Sequence, residues 1–428
     1  MLEKFRTKKN KDQPQRQENN DKLMIGLDIG TEYVKALIAR VDDNNELEII
    51  GVGKAHQSQT DMQAGAIADI AAVVANCDQA LSQAEHQAGV SGRSAVVGIA
   101  GELVKGSTLN VRVTRKDPQK EIDVSEIDQI FSLVQERAHE KAKKQLSLET
   151  GGKDIALKLV NSALISIEID GYMVTNPIGF TGKDVHVQLY TAFAPMVHIG
   201  AIERVADQLD LDLLTVAAEP FAVARSVIGD DPNADISAIL IDVGGGTTDI
   251  AVVNEGGVEG TIMFGIGGRS YTKSVERDFS FGYEQAEALK LSLDGGSLSP
   301  AKKKQVEQAL SKTLMVWMSG VSLALEEFSN LDHLPNRILL CGGGSSLKLI
   351  QDELEHADWY KELPFSKKPK IQFIMPSQVS GITDATDLVK DHTLITAMGL
   401  LRVGMDTVLQ FESDAETIKG RFNRLLKI

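Results

Sequence analysis

Residues 1–22 are polar and rich in Lys, Gln and Asn, and the first apolar run begins at Leu23. Residues 23–29 form that run, Gly30 breaks it, 33–41 resume it, and a polar turn at 42–46 leads to another at 47–52. Short apolar runs separated by turn residues predict a β-meander. After Asp61 comes an Ala-rich segment with apolar residues at helical spacing, stopped before Gly89, then strand character at 94–100. A more polar stretch from about 103 to 182 holds a charged helical pattern at 125–144, a strand at 164–169 and turn residues through 171–179. It reads as an inserted α/β subdomain. Strand character returns at 185–194 and helical spacing at 198–209. Further on, 237–243 and 249–253 read as strands, 283–291 and 306–328 as helices, and 337–354 as a strand–helix unit.

Two strings in this pattern echo each other. Asp28-Ile29-Gly30-Thr31 lies between two strand-like runs, and so does Asp242-Val243-Gly244-Gly245-Gly246-Thr247-Thr248-Asp249. Such an echo predicts a duplicated α/β fold, one copy per lobe, with two hairpins closing on a phosphate chain from opposite sides. Glycine in such a turn can take a positive φ and let backbone N–H groups approach an anion. Thr adds a hydroxyl donor, and the Asp offers a carboxylate suited to a Mg2+-bound water. Asp28, Gly30 and Thr31 thus form half of a candidate clamp, and Asp242, Gly244, Gly245, Gly246, Thr247 and Thr248 the other half. A single D-x-G-T string is an ordinary turn more often than a site; the pair defines the clamp.

A third string runs through 338–346: a strand, then Gly342, Gly343, Gly344, Ser345 and Ser346. Either serine can cap a following helix and turn its amides toward a ligand, although the string alone also reads as a tight strand–helix turn. It has neither the Lys of a P-loop nor the spacing of a dinucleotide fingerprint.

Composition narrows the choice. The 428 residues include 45 Lys+Arg and 60 Asp+Glu, so 45 − 60 leaves a net charge of −15, which opposes bulk attraction to nucleic acid or anionic lipid. The length calls for more than one core. Two cysteines, Cys77 and Cys341, build no disulfide framework and point to a reducing, cytosolic setting. The eight His show no zinc-type pair. No run approaches the roughly 18 apolar residues of a spanning helix, and the first 22 residues carry no apolar core of a secretory signal.

The three glycine strings, in this order and spacing, resemble the ATP-binding signature of the actin/Hsp70/sugar-kinase superfamily. Residues 218–224 resemble its first connecting helix and 397–400 its second. Within the superfamily the chain resembles the FtsA family of bacterial cell-division proteins over residues 23–428, including Gly26-Leu27-Asp28-Ile29-Gly30-Thr31 with Lys35, and Asp170-Gly171 followed by Asn176-Pro177-Ile178-Gly179-Phe180-Thr181-Gly182. The resemblance implies an actin-like (ribonuclease H-like) two-lobed fold that binds ATP and Mg2+. After the disordered basic and polar arm that composition predicts at 1–22, its segments would be a first lobe at 23–102 and 184–214, a 1C-type insertion at 103–183, a second lobe at 215–394 with a smaller part near 262–335, a return at 395–412, and a linker and helix at 413–428.

It also implies site roles. Asp28 and Asp242 would hold the Mg2+ water shell, Glu219 would orient an attacking water, and Lys35 would neutralise phosphate. Gly342, Gly343, Gly344 and Ser345 would form the adenosine loop. Glu287 and Lys290, three apart on one helical face, match the ribose-contacting pair; from residues alone they also read as a surface ion pair. Turnover would be slow at most. The implied partners are FtsZ, other copies of the chain in filaments, and downstream divisome membrane proteins through the insertion. The implied place is the cytoplasmic face of the inner membrane at the division site. A pilus-assembly scaffold shares the glycine strings and an insertion, and a small-molecule kinase shares the superfamily, but no acceptor-binding loop is recognisable.

The tail inverts the charge of the body. Ile418, Phe422, Leu425 and Leu426 fall on one helical stripe, and from Thr417 onward Lys419, Arg421, Arg424 and Lys427 meet no acidic residue. A basic amphipathic helix fits an interfacial membrane anchor, the alternative being a helix packed on the body or a frayed end. Each basic residue contributes ~1 kcal/mol near an anionic leaflet and each buried large apolar side chain ~1.5–3 kcal/mol. Ordering so short a helix opposes this, so one copy binds modestly and a polymer tightly. Truncation after Asp414 is expected to abolish co-sedimentation with anionic liposomes; unchanged binding would refute the anchor.

Overall fold

The opening meander is three antiparallel strands, β1 (Leu23–Ile29), β2 (Tyr33–Val41) and β3 (Leu47–His56). This computed structural model describes residues 23–228, 236–293, 295, 298–329 and 331–413. The expected arm at 1–22 and the tail residues 414–428, with every proposed membrane contact, lie outside the described residues. Two two-residue strands, β4 (Met62–Gln63) and β5 (Ala66–Ile67), precede α1 (Ile70–Ala88). Asp69 caps α1 by accepting a hydrogen bond from Ala72 N, and Gly89 ends it with a φ of 69°. The Ala content of α1 has a packing cause. A Cβ on Gly53 would lie 1.8 Å from the carbonyl oxygen of Ala80, and one on Gly51 2.3 Å from that of Ala84. The helix backbone therefore rests directly on one face of β3. Strand β6 (Ser94–Ile99) completes this stretch.

The polar stretch folds as β7 (Lys105–Thr114), α2 (Val124–Glu149), β8 (Leu157–Ile169), β9 (Tyr172–Met173) and β10 (Asp184–Pro195). Asp123 caps α2, and Ile127, Phe131 and Val134 on its apolar stripe pack with Val111, Ile167 and Val187 into a separate small core. The chain continues through α3 (Met196–Gln208), β11 (Asp212–Ala218) and α4 (Glu219–Ile228). A second meander follows: β12 (Ala238–Val243), β13 (Thr248–Asn254) and β14 (Gly257–Phe264). Helices α5 (Gly268–Phe279), α6 (Tyr283–Leu291) and α7 (Pro300–Glu326) lead to β15 (Arg337–Cys341). A 3-10 turn (Gly343–Ser346), α8 (Lys348–His356), β16 (Lys370–Phe373), β17 (Ile382–Asp384) and α9 (Ile395–Ser413) end the described chain.

The duplication is explicit in the sheets. One sheet contains the order β3-β2-β1-β6-β11 and the other β14-β13-β12-β15-β16, each an antiparallel meander followed by two parallel strands. Additions differ at the meander edges. Strand β17 joins β3, although it falls within the range expected for the second lobe. The inserted strands join β14 through β7, where Gly260 pairs with Ser107 and Thr261 with Gly106. The insertion thus leaves the first lobe in sequence but extends the second lobe's sheet. Helices α4 and α9 cross between the sheets at Gly399, where a Cβ would come 2.3 Å from Ala222 O. Arg225 and Asp406 tie the crossing at 2.9 Å. Among the described residues no helix is long and apolar enough to cross a membrane.

The close contact beneath β3 yields a prediction. Gly53→Val is expected to destabilise the protein by roughly 2–3 kcal/mol, because α1 must lift from the sheet. Denaturant unfolding measures it; an unchanged midpoint would show that the contact is slack.

Candidate functional site

The two meander hairpins face each other across a cavity of about 550 Å³ between the lobes. Each antiparallel register sets one charged pair on its floor. Asp28 on β1 stands opposite Lys35 on β2, and Lys35 Nζ lies 2.8 Å from Asp28 Oδ2. Asp242 on β12 stands opposite Asp249 on β13. The same hairpin position therefore carries a cation in one lobe and a second carboxylate in the other. Glu219, the first residue of α4, also faces the cavity, and the absence of a side chain on Gly98 makes room for it.

All four carboxylates are buried, at 2–8% exposure. Burial, with Asp28, Asp249 and Asp242 nearby, holds the Glu219 carboxyl well above the ordinary carboxylate range. Burial and the charge of Asp242 do the same to Asp249, whose Oδ1 has no hydrogen-bond partner. Burial raises Asp242 too, opposed by Lys35 and by the Thr396 hydroxyl, which donates to its Oδ2. Burial pulls the Lys35 ammonium down, but Asp28 and Asp242 outweigh it and leave the lysine firmly charged. The thiol of Cys341 is pushed far up by burial and by Asp242.

The turns above this floor are closed by contact. The amide of Gly244 donates to Thr247 O at 2.9 Å. A Cβ on Gly246 would lie 2.5 Å from Thr31 Oγ1, and one on Gly245 2.7 Å from Glu32 Cβ, so the two turns touch across the lobes. This corrects the conformational expectation for these glycines. None of Gly30, Gly244, Gly245 and Gly246 has a positive φ; at Gly30, Gly245 and Gly246 neighbouring chain leaves no room for a side chain, whereas Gly244 has ordinary space around it. Among the expected site glycines only Gly342 takes a left-handed conformation, with φ 80°, and a Cβ there would strike Asp242 Oδ1 at 2.0 Å.

Most of the expected site residues meet here: Asp28, Gly30, Thr31, Lys35, Glu219, Asp242, Gly244, Gly245, Thr247, Glu287, Lys290, Gly342, Gly343 and Gly344 all line the cavity. Gly246, Thr248 and Ser345 do not. The hydroxyl of Thr248 donates to Ile266 O and accepts from Trp317 Nε1 at 2.8 Å, which commits it to the second core. Ser345 donates to Gly342 O at 2.6 Å. Neither serine caps α8, because the 3-10 turn intervenes and α8 begins after Leu347 without a side-chain cap. Ser346 reaches the cavity wall and shares a hydrogen bond with His392 Nε2 at 3.0 Å. The Glu287–Lys290 pair, 2.7 Å apart, is no surface pair: Lys290 is buried and also bonds Thr272 Oγ1 at 2.9 Å and Gly268 O at 3.2 Å.

Sequence reasoning passed over Asp249, Glu32, Arg269 and Tyr283, which also line the cavity. Asp249 had a signal, since it follows Asp242 by the same seven positions that separate Lys35 from Asp28. The other three are far apart in sequence and meet only in the folded chain.

An actin-like fold of two duplicated lobes with a cleft between them is the class this architecture defines. The PilM–PilN type IV pilus biogenesis complex shares the fold, with a TM-score of 0.62 over 89% of this chain and 98% of that chain at 15% identity. Within the class, the family this chain resembles is FtsA. Residues 239–399 match the family model described as cell division protein FtsA. The cell division protein FtsA of Pseudomonas aeruginosa is 26% identical over 412 residues, covering 92% of this chain and 91% of that protein. That of Neisseria meningitidis serogroup B is 27% identical over 404 residues, covering 90% of each.

The acidic floor has a measurable consequence. Glu219, Asp242 and Asp249 are easier to leave protonated in the folded chain, so their contribution is fully present at low pH and is lost as pH rises through their raised values. Ligand-free protein without divalent cation should therefore melt at progressively lower temperature from about pH 5 to pH 8. Glu219→Gln is expected to flatten this decline and to be more stable than the parent at pH 8 by on the order of 1–2 kcal/mol. Parallel melting curves at all pH values would show that Glu219 is not strained there.

Proposed function

We propose that the chain is an ATP-binding actin-like cell-division protein. It polymerises at the cytoplasmic face of the inner membrane, anchors FtsZ through its C-terminal amphipathic helix and helps recruit the septal machinery. The observation that carries the nucleotide reading is the pair of opposed D-x-G hairpins over one cavity. Its size falls within the roughly 300–1,000 Å³ of small-molecule sites. The likeness to FtsA supports the division role.

The donor set fits Mg2+. It is all oxygen, and the unpartnered Asp249 Oδ1 is buried beside it. Among the described residues no three such side chains converge closely enough to hold a metal directly, so Asp28 and Asp242 would act on it through water. When bound, Mg2+ supplies positive charge that relieves the crowding of carboxylates. Lys35 neutralises phosphate from the first lobe, and the Gly30–Thr31 and Gly244–Thr247 turns grip it with backbone donors. Glu287 and Lys290 hold the ribose, and the Gly342–Gly344 turn the adenine side. Glu219 positions water. In keeping with the likeness to FtsA, turnover is slow at most and the nucleotide serves mainly as a ligand between lobes.

Asp242→Ala is expected to weaken ATP binding at least ~10-fold in titration calorimetry with Mg2+, because it removes a floor carboxylate that would act on the metal through water. Electron microscopy on anionic lipid monolayers with ATP, with and without FtsZ, then shows whether the parent forms filaments that the variant does not. Intact affinity and filaments in the variant would overturn the reading.

A further inference from the structure

One side chain spans the rim of the cleft. Arg269 is the second residue of α5, in the second lobe, and is 8% exposed. Its guanidinium reaches across the lobes to four acceptors. Nε donates to Glu32 Oε2 at 2.6 Å, Nη2 to Gln57 O at 3.0 Å and Ser58 O at 3.2 Å, and Nη1 to Gln59 O at 3.4 Å. Glu32 is further held by His56 Nε2 at 3.0 Å and by the Tyr283 hydroxyl, also from the second lobe, at 3.5 Å.

The backbone of the same residue holds a phosphate turn. Arg269 N donates to Gly245 O at 2.8 Å and Gly268 N to Gly244 O at 2.9 Å. On the opposite lobe, the fully buried Gln57 does the equivalent: its Nε2 donates to Gly30 O at 2.8 Å, and its Oε1 is fixed by Asn76 Nδ2 at 3.1 Å. The two turns are thus ends of one hydrogen-bonded chain, Gly30–Gln57–Arg269–Gly245.

We infer that Arg269 is a positioning residue that sets the separation of the two phosphate turns and thereby the residence time of nucleotide in the cleft. The inference rests on the nucleotide reading above and adds the regulation of that site. A planar guanidinium can meet a carboxylate and three carbonyls in different directions at once; a lysine ammonium cannot. Removing it leaves Gln57 O, Ser58 O and the Glu32 carboxylate short of partners in a largely dry rim, so opening the cleft to water becomes favourable. The floor is held independently by the α4–α9 crossing, so loss of Arg269 opens the rim without detaching the lobes.

The test uses the full chain. Dissociation of N-methylanthraniloyl-ATP with Mg2+, chased by excess ATP, is expected to be at least ~10-fold faster in Arg269→Ala, nearly as fast in Arg269→Lys, and a few-fold faster in Glu32→Gln. Ile127→Ala serves as a control, since it destabilises the separate core of the insertion away from the cleft and should leave the rate unchanged. Pulsed electron–electron resonance between labels at Asp43→Cys and Lys304→Cys reads the lobe separation directly, and should broaden on Arg269→Ala. Off-rates within twofold of the parent together with an unchanged distance distribution would overturn the inference. If the parent binds no nucleotide, the nucleotide reading fails, and the label distances of Arg269→Ala and Glu32→Gln still decide whether the arginine sets the separation. Should Arg269→Ala not fold, Arg269→Lys and Glu32→Gln carry the same comparison.

Discussion

Four carboxylates buried on one floor set the terms for the rest of the molecule. Asp28, Glu219, Asp242 and Asp249 come from both lobes and from the helix between them, and Lys35 is the cation beside them. Such a floor cannot be fully ionised without added positive charge, because the cost of burying each carboxylate grows with its neighbours. In the ligand-free cleft Lys35 and the Thr396 hydroxyl offset part of that cost, and uptake of protons relieves more of it. A ligand that brings cations removes that stress and touches both lobes at once.

The duplicated architecture explains how the floor is built. The meanders superimpose in order, so the residue seven positions after the hairpin aspartate lies opposite it in both lobes. One copy places Lys35 there and the other Asp249. An identical lysine in both copies would have set two cations against three carboxylates and left less for a metal–phosphate group to do. The asymmetry between the copies, more than the shared D-x-G strings, gives the cleft its chemistry.

What was legible in the chain was local. The strand–turn strings and the Gly89 stop depend on residues within a few positions of one another, and they appear where the pattern placed them, whereas the helix expected directly after Asp61 starts only at Ile70, behind the Asp69 cap and two short strands. The direction of individual side chains was legible in principle: Thr247 and Thr248 are adjacent at the start of a strand, so one faces the cavity and the other the core. Contacts between distant segments were not. Nothing in the polar stretch announces that β7 will pair with β14, and Glu32 and Arg269 stand 237 positions apart. The purpose of the glycines was misread for a related reason. At Gly245 and Gly246 the role lies in the neighbouring lobe's approach, which a turn's own sequence does not contain.

These contacts make the cleft open on one side. At the floor, α9 lies against β1 so closely that a Cβ on Gly26 would come 2.7 Å from Ala397 O, and α4 meets α9 at Gly399 with no intervening side chain. Backbone-to-backbone contacts of this kind have no slack, so the lobes cannot part there without losing core packing. At the rim the lobes meet through the fork of Arg269 and the Glu32 carboxylate, polar atoms that water can replace, and through the contact of Gly245 and Gly246 with Glu32 and Thr31. Relative motion must then pivot on the helical crossing and widen at Arg269. A pivot at the floor keeps the carboxylates together while the turns separate, so opening releases the phosphate grip before it disperses the acidic floor. The charge stress that favours ligand return is thereby kept intact in the open state.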